Sequence, residues 1–371
     1  MTNKSPQELF VFLAPDLDLR SLKSSHPVAS WFSQLFKSCR EINLPYKLIS
    51  YQSMPSFPRA RLLVLPTSHS ILDQTILLPY VNLKYVRFAI LSFFASFLLL
   101  FISLVNFRSR IKVFYWNNNS PFSLVTLLRI LPWVHISGII ADGPALPLFK
   151  ADSLFYLSYF AYCRSTASHK YFLQTPPFPF IHEDSLAAAD LMKISDRFCF
   201  AGKYVIVYSG SLNMWSGIEH FFASLDSPHI IGSNLLFVVT SRETPSTSQS
   251  RLFESPFILF LGNLSTSDLY HIYCRSNAFL ITRSLTSADC FSSYPSKIMH
   301  YITCEKPIFS VPLLSYPDSH NSFLLYCDDV SSLGFIYSSL DFMSKSKDTI
   351  LAQKYFMSKN SWNAALRTLF N

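Results

Sequence analysis

Hydrophobic runs of six to eight residues, rich in β-branched and aromatic side chains, recur along the chain and alternate with longer segments of helical character. In the first half the runs are LFVFLAP (9–15), KLISYQ (47–52), RLLVLP (61–66), IKVFYW (111–116) and ISGIIAD (136–142). In the second half they are KYVIVYSG (203–210), LLFVVTS (235–241), FILFLGN (257–263), AFLITRS (278–284) and KPIFSV (306–311). Strands separated by helices pair in parallel, because parallel neighbours need a long crossover. Two such series predict an α/β chain of two Rossmann-like domains, whose parallel sheets face an interdomain cleft and bind ligands at the carboxyl ends of their strands. The prolines of LQTPPFPF (173–180) exclude a continuous helix there and set the boundary. The expected domains are therefore 1–175 and 182–371, with a closing helix over 347–370 that returns toward the first. SRETPSTSQSRLFESP (241–256) reads as a surface loop, and the sequence holds no internal repeat.

One segment departs from this alternation. Residues 88–107, FAILSFFASFLLLFISLVNF, carry no charge and are bracketed by Arg87 and by Arg108 and Arg110. Their length fits a membrane span. The runs on either side, RLLVLP and IKVFYW, are nevertheless expected in one sheet, which a span would place on opposite sides of a bilayer. A buried or membrane-lying crossover helix resolves the conflict, and cations at both ends give no orientation.

Composition narrows the class. Half of the 371 residues are hydrophobic and 15% are charged, which marks a folded chain. The 35 phenylalanines and eight glycines are discounted as functional signals, since both can follow from genome composition. Residues 1–180 hold 17 Lys and Arg against 7 Asp and Glu, a balance of +10; the remainder holds 14 against 16, or −2. A basic first half points to an anionic partner such as a membrane surface or a phosphorylated acceptor, or else to scattered solvated charge. Nucleic acid is not expected, because no dense Lys/Arg run is interleaved with aromatics. Seven dispersed cysteines without a Cys-x-x-Cys pair favour reduced thiols in a cytosolic compartment over a disulfide framework or a zinc site. The apolar run of MTNKSPQELFVFLAP is too short for a signal peptide and reads as the first strand.

Two stretches offer chemistry. In VIVYSGSLNMWSGIEHFFASL (205–225) a strand meets a tight Gly210–Asn213 turn and then a helix beginning near 215–217. Gly210 removes a side chain where a backbone must turn or a ligand approach, and a helix N-terminus offers N–H groups to an anion. Such a turn is common in α/β proteins, and no Gly-x-Gly or Walker lysine accompanies it, which argues against a dinucleotide oxidoreductase and a P-loop NTPase. The second stretch runs from AFLITRS to SYPSKIMHYITCEKPIF. Pro295 suits a helix entry, Ser296 and neighbouring amides can hold an oxyanion, Lys297 adds a cation, and Arg283 closes the preceding strand. By themselves these residues make an anion site or a set of solvated helix-end charges.

Taken in order, YSGSLNMWSGIEHF (208–221), FLGNLSTSDLYHIYCRSNAFLITR (260–283), SYPSKIMHYITCEKPI (293–308) and the closing AQKYFMSKNSWNAALRTLF (352–370) resemble the GT-B glycosyltransferases of the family 4 type, in particular their bacterial surface-polysaccharide branch. FYWNNNSPFSL (114–124) and IIADGPALP (139–147) are similar to it more loosely. The resemblance implies sugar transfer from a nucleotide-diphosphate donor to a cell-surface glycan or lipid-linked acceptor. It further implies retention of configuration, no metal or other cofactor, and a cytoplasmic protein peripheral at the inner face of the cell membrane. On it, Gly210 and Ser211 face the donor diphosphate, Ser296 binds the donor, and Arg283 and Lys297 neutralise the leaving group. Gly262 and Asn263 border the base, and His300 meets the ribose. The family's two glutamates fall at Ser292 and His300, so neither carboxylate is present, and Glu305 stands where the pattern has glycine. These departures keep open a catalytically silent subunit that supports a partner transferase, or a sugar-nucleotide epimerase of the same fold.

The remaining candidates carry two readings each. His69 faces an acceptor or is a hydrogen-bonded structural histidine. Asp142 orients acceptor or sugar hydroxyls or caps a turn. Glu183 and Asp184 start a helix, and Trp215 and Phe291 pack.

Overall fold

The computed structural model describes residues 8–13, 27–50, 63–64, 75–78, 80–81, 87–116, 128, 130–140, 151–177, 200, 202–284 and 294–370. The chain divides into two compact units, Met1–Gln174 with Ala365–Asn371, and Thr175–Ala364.

In the first unit the strands are β1 (Glu8–Leu13), β2 (Tyr46–Ser50), β4 (Thr75–Leu77), β6 (Arg110–Trp116), β7 (Val134–Ile140), β8 (Ser153–Tyr156) and β9 (Lys170–Phe172), in the order β4-β2-β1-β6-β7-β8-β9. Every pairing in this sheet is parallel. Of the run at 61–66 only β3 (Leu63–Val64) is among the described residues, and it pairs antiparallel with β5 (Tyr80–Val81) outside this sheet. The edge of the seven-stranded sheet beside β2 is β4. Phe10 to Leu13 are buried on both faces of β1, as a central strand requires. Helix α1 (Pro27–Glu41) turns Trp31, Phe32, Leu35, Phe36 and Cys39 to the core, so that Phe12 meets Phe32, Phe36 and Phe114.

Helix α2 (Arg87–Val105) connects β4 to β6. Both strands belong to the same sheet, so α2 is a crossover; among the described residues no helix is long and apolar enough to cross a membrane.

The second unit is a six-stranded parallel sheet of β10 (Tyr204–Ser209), β11 (Leu235–Thr240), β12 (Ile258–Gly262), β13 (Ala278–Ile281), β14 (Ile308–Ser310) and β15 (Leu324–Tyr326), in the order β12-β11-β10-β13-β14-β15. The closing segment is two helices rather than one, Phe342–Lys359 and Trp362–Phe370, because the first ends at Asn360, whose side chain and backbone both bond the Phe356 carbonyl. The last of them returns to the first unit. The Phe370 ring lies 4.1 Å from that of Phe10, and its carbonyl accepts from Lys112.

Candidate functional site: an anion cradle in the second unit

The second sheet is built outward from β10, first to β11 and β12 and then, on the other side, to β13 and its successors. Its topological switch therefore lies between β10 and β13, and open parallel sheets receive ligands at the carboxyl ends of the strands there. Those ends are polar although the strands are apolar. Ser209 closes β10 beside Thr240 of β11, and Thr240 is in register with Gly262 of β12. The Thr240 hydroxyl donates to Ser209 Oγ at 3.0 Å, and Ser209 N donates to the Tyr301 hydroxyl at 3.2 Å.

Two loops meet over this switch. The first runs from Gly210 to Gly217. A Cβ at Gly210 would lie 2.4 Å from the Tyr208 hydroxyl, which donates to the Ser211 carbonyl at 2.7 Å. The glycine thus makes room for the chain's own phenol, whose pKa burial pushes up to about 12. Gly217 has φ +65°, and a Cβ there would sit 2.5 Å from the Arg283 carbonyl carbon. Ser284 N donates to the Trp215 carbonyl at 3.1 Å and the Thr282 hydroxyl to the Ser216 carbonyl at 2.8 Å, so the turn is fastened to the end of β13.

The helices after these loops are shorter than the periodicity predicts. A 3-10 turn at Met214–Ser216, capped by Asn213, leads into only four helical residues, Ile218–Phe221. The Pro295–Lys297 step leads into five, Ile298–Ile302, after backbone bonds from Ile298 to Pro295 and from Met299 to Ser296. Left-handed Gly217 separates the 3-10 turn from Ile218–Phe221, and left-handed Glu305, at φ 52°, lies three residues past Ile302. Helices this short carry little macrodipole, so attraction for an anion rests on side-chain charge.

That charge is concentrated. Lys297 is half-buried, and its Nζ donates to Ser209 Oγ at 3.2 Å. Burial first, then Arg242 and Arg283, draw its pKa from 10.5 down to about 8. Among the described residues none of the ion pairs includes Lys297. Arg242 is exposed just beyond β11, and Arg283 is half-buried just beyond β13. Arg242 from the loop after β11, and Arg283 and Lys297 from the connection after β13, thus converge on one polar strand end. An arrangement of this kind repels itself when empty and favours a polyanion.

Glu243 balances part of the field. Its carboxylate accepts from the Ser211 hydroxyl at 2.6 Å and from Leu212 N at 2.5 Å. The turn's donors thus already hold an anionic group, supplied by the protein. Behind Lys297, the Tyr294 hydroxyl and His320 Nε2 share a hydrogen bond of 2.6 Å in the core. Burial lowers the His320 pKa to about 3, so the pair anchors the Pro295–Lys297 step as a neutral unit.

Gly210, Ser211, Arg283, Ser296 and Lys297 are therefore neighbours of this switch, and His300 lies half-buried on the short helix that also carries Tyr301. Gly262, at φ +67°, and exposed Asn263 end the edge strand β12. His69, Asp142, Glu183, Asp184, Phe291 and Ser292 lie outside the described residues. Sequence reasoning passed over Arg242 and Glu243, although they follow LLFVVTS at a carboxyl end just as Arg283 follows AFLIT. Among the described residues no three His, Cys, Asp or Glu side chains gather as a metal site.

No protein-family model matches the chain, and no curated protein matches it. Solved structures do. Sucrose-phosphate synthase from Thermosynechococcus elongatus superposes with a TM-score of 0.64 at 12% identity over 97% of each chain. A trehalose-6-phosphate protein from E. coli bound with UDP-2-fluoro glucose gives 0.64 at 9% identity, again over 97% of each. A putative UDP-N-acetylglucosamine 2-epimerase from Listeria monocytogenes gives 0.54 at 10% identity, over 98% of this chain and 95% of that one. Likeness at such identities speaks for architecture alone. With two parallel sheets in two units and a last helix that returns to the first, the chain has the GT-B fold.

Proposed function

We propose that the protein is a glycosyltransferase that moves a sugar from a nucleotide-diphosphate donor to a cell-surface or lipid-linked glycan, with retention and in the manner of the family 4 enzymes it resembles. The observation that carries this reading is the convergence of Arg242, Arg283 and half-buried Lys297 on the carboxyl end of β10. When the bond between the sugar and the diphosphate breaks, negative charge grows on the leaving phosphate. Cations fixed beforehand stabilise that charge without reorganising. Lys297 and Arg283 supply half-buried charge and Arg242 an exposed one, while the bound donor relieves the repulsion among them. Positioning and leaving-group stabilisation then do most of the work, so the missing carboxylates at 292 and 300 bear on sugar choice more than on bond breaking.

Incubation of the purified chain with UDP- and GDP-sugars, with and without a glycolipid fraction as acceptor, tests the proposal. Release of nucleotide diphosphate that depends on the acceptor is expected. Interconversion of the nucleotide sugar with no acceptor would identify an epimerase instead. Nucleotide binding without either reaction would point to a silent subunit.

A further inference from the structure

Helix α2 has two apolar faces. Leu91, Ala95, Leu99 and Ile102 form the inner one and lie in the core of the first unit. The outer one is a stripe at four-residue spacing, Phe93, Phe97, Phe101 and Val105, exposed by 61%, 64%, 59% and 63%. Exposed Phe94 and Leu104 flank it, and exposed Phe107 extends it past the helix end. A surface helix of a globular protein ordinarily turns polar residues outward, whereas 88–107 contains no charged residue at all. A contiguous exposed apolar face of this kind marks an interaction surface.

Charge identifies the occupant. Arg108 and Arg110 are exposed immediately beyond the stripe, with the Arg108 guanidinium 5.4 Å from the centre of the Phe107 ring. Between Asp73 and Asp142 the sequence has six Lys and Arg and not one Asp or Glu. A second copy of the chain could bury the phenylalanines, but this stretch would bring it no acidic partner for the arginines. Anionic lipid head groups satisfy both requirements: the acyl boundary takes the aromatic stripe and the phosphates take the cations.

We propose that the outer face of α2 is a docking surface for an anionic lipid bilayer, on which the helix lies parallel to the membrane plane with Phe93, Phe97 and Phe101 inserted and Arg108 and Arg110 among the head groups. This goes beyond the transferase reading and does not depend on it.

Co-sedimentation with vesicles of equimolar phosphatidylglycerol and phosphatidylcholine, and with vesicles of phosphatidylcholine alone, tests it. The full chain should sediment with the anionic vesicles, and less with neutral ones. Phe93→Ser/Phe97→Ser/Phe101→Ser, which leaves the inner face intact, should lower the partition constant roughly tenfold or more. Arg108→Glu/Arg110→Glu alters only exposed charge, so it keeps the proposal open to test if the triple variant fails to fold; it should abolish the preference for anionic vesicles. Failure of the wild-type chain to sediment, or a charge-reversal variant that keeps the wild-type preference for anionic vesicles, would overturn the proposal. So would a dimer in solution that the triple variant converts to a monomer, because the occupant would then be a second copy.

Discussion

Lys297 Nζ reaches across from the loop after β13 to donate to Ser209 Oγ, 3.2 Å away at the end of β10. Partial burial, with Arg242 and Arg283 nearby, holds this lysine at a pKa of about 8. Two opposite pH dependences follow. In the free protein the unfolded state binds more protons than the folded one between pH 8 and 10.5, so stability rises with pH across that window. A bound diphosphate favours the charged lysine, so nucleotide affinity is full below pH 8 and falls above it, approaching about tenfold per pH unit. Calorimetric titrations with UDP and GDP from pH 7 to pH 9 check the second trend; an affinity flat over that range would place the lysine outside the binding event.

Gly217 and Gly202 separate steric contact from backbone strain. Both have positive φ, but a Cβ at Gly202 would meet nothing within 4 Å, whereas one at Gly217 would press into the Arg283 backbone. Gly202→Ala should cost about 1 kcal/mol and Gly217→Ala about 2–4 kcal/mol. Urea unfolding gives the difference, and equal costs would mean that the Gly217 turn does not rest on the end of β13.

Glu305 sits at φ 52° and pairs with Lys354 at 3.0 Å. Glu305→Gly and Glu305→Ala both lose that exposed pair, and only glycine relieves the backbone. The glycine variant should be the more stable of the two by about 1 kcal/mol in thermal unfolding; a more stable alanine variant would count against the strain.

Much of this architecture was legible because its strands are short apolar runs with punctuated ends. Nine of the ten runs quoted fall on strands of the two main sheets; of RLLVLP only Leu63–Val64 is described, and it pairs with β5 outside them. The strands passed over, β4, β8, β9 and β15, are three or four residues long, and their neighbours in the sheet define them more than their own pattern does. Lys297, Arg283 and Gly210 could be found because each sits beside a strand end or a proline. Arg242 and Glu243 were hidden in a stretch that reads as a polar loop. Their importance comes from long-range pairing, which sets β11 beside β10 and so lays Glu243 against Ser211. The outer face of α2 was likewise ambiguous, because a uniformly apolar run does not say which side the core will cover.

The central claim is that the three cations form a nucleotide-diphosphate site. Isothermal titration of UDP and GDP into the wild-type chain and into Lys297→Met and Arg242→Ala tests it most directly. At least one nucleotide should bind, with losses of about tenfold or more for Lys297→Met and a smaller loss for exposed Arg242→Ala. Lys297→Met should at the same time unfold at an equal or higher temperature without ligand, since it removes a partly desolvated, repelled charge. Absence of binding by either nucleotide, or a Lys297→Met variant that binds as tightly as the wild type, would contradict the account.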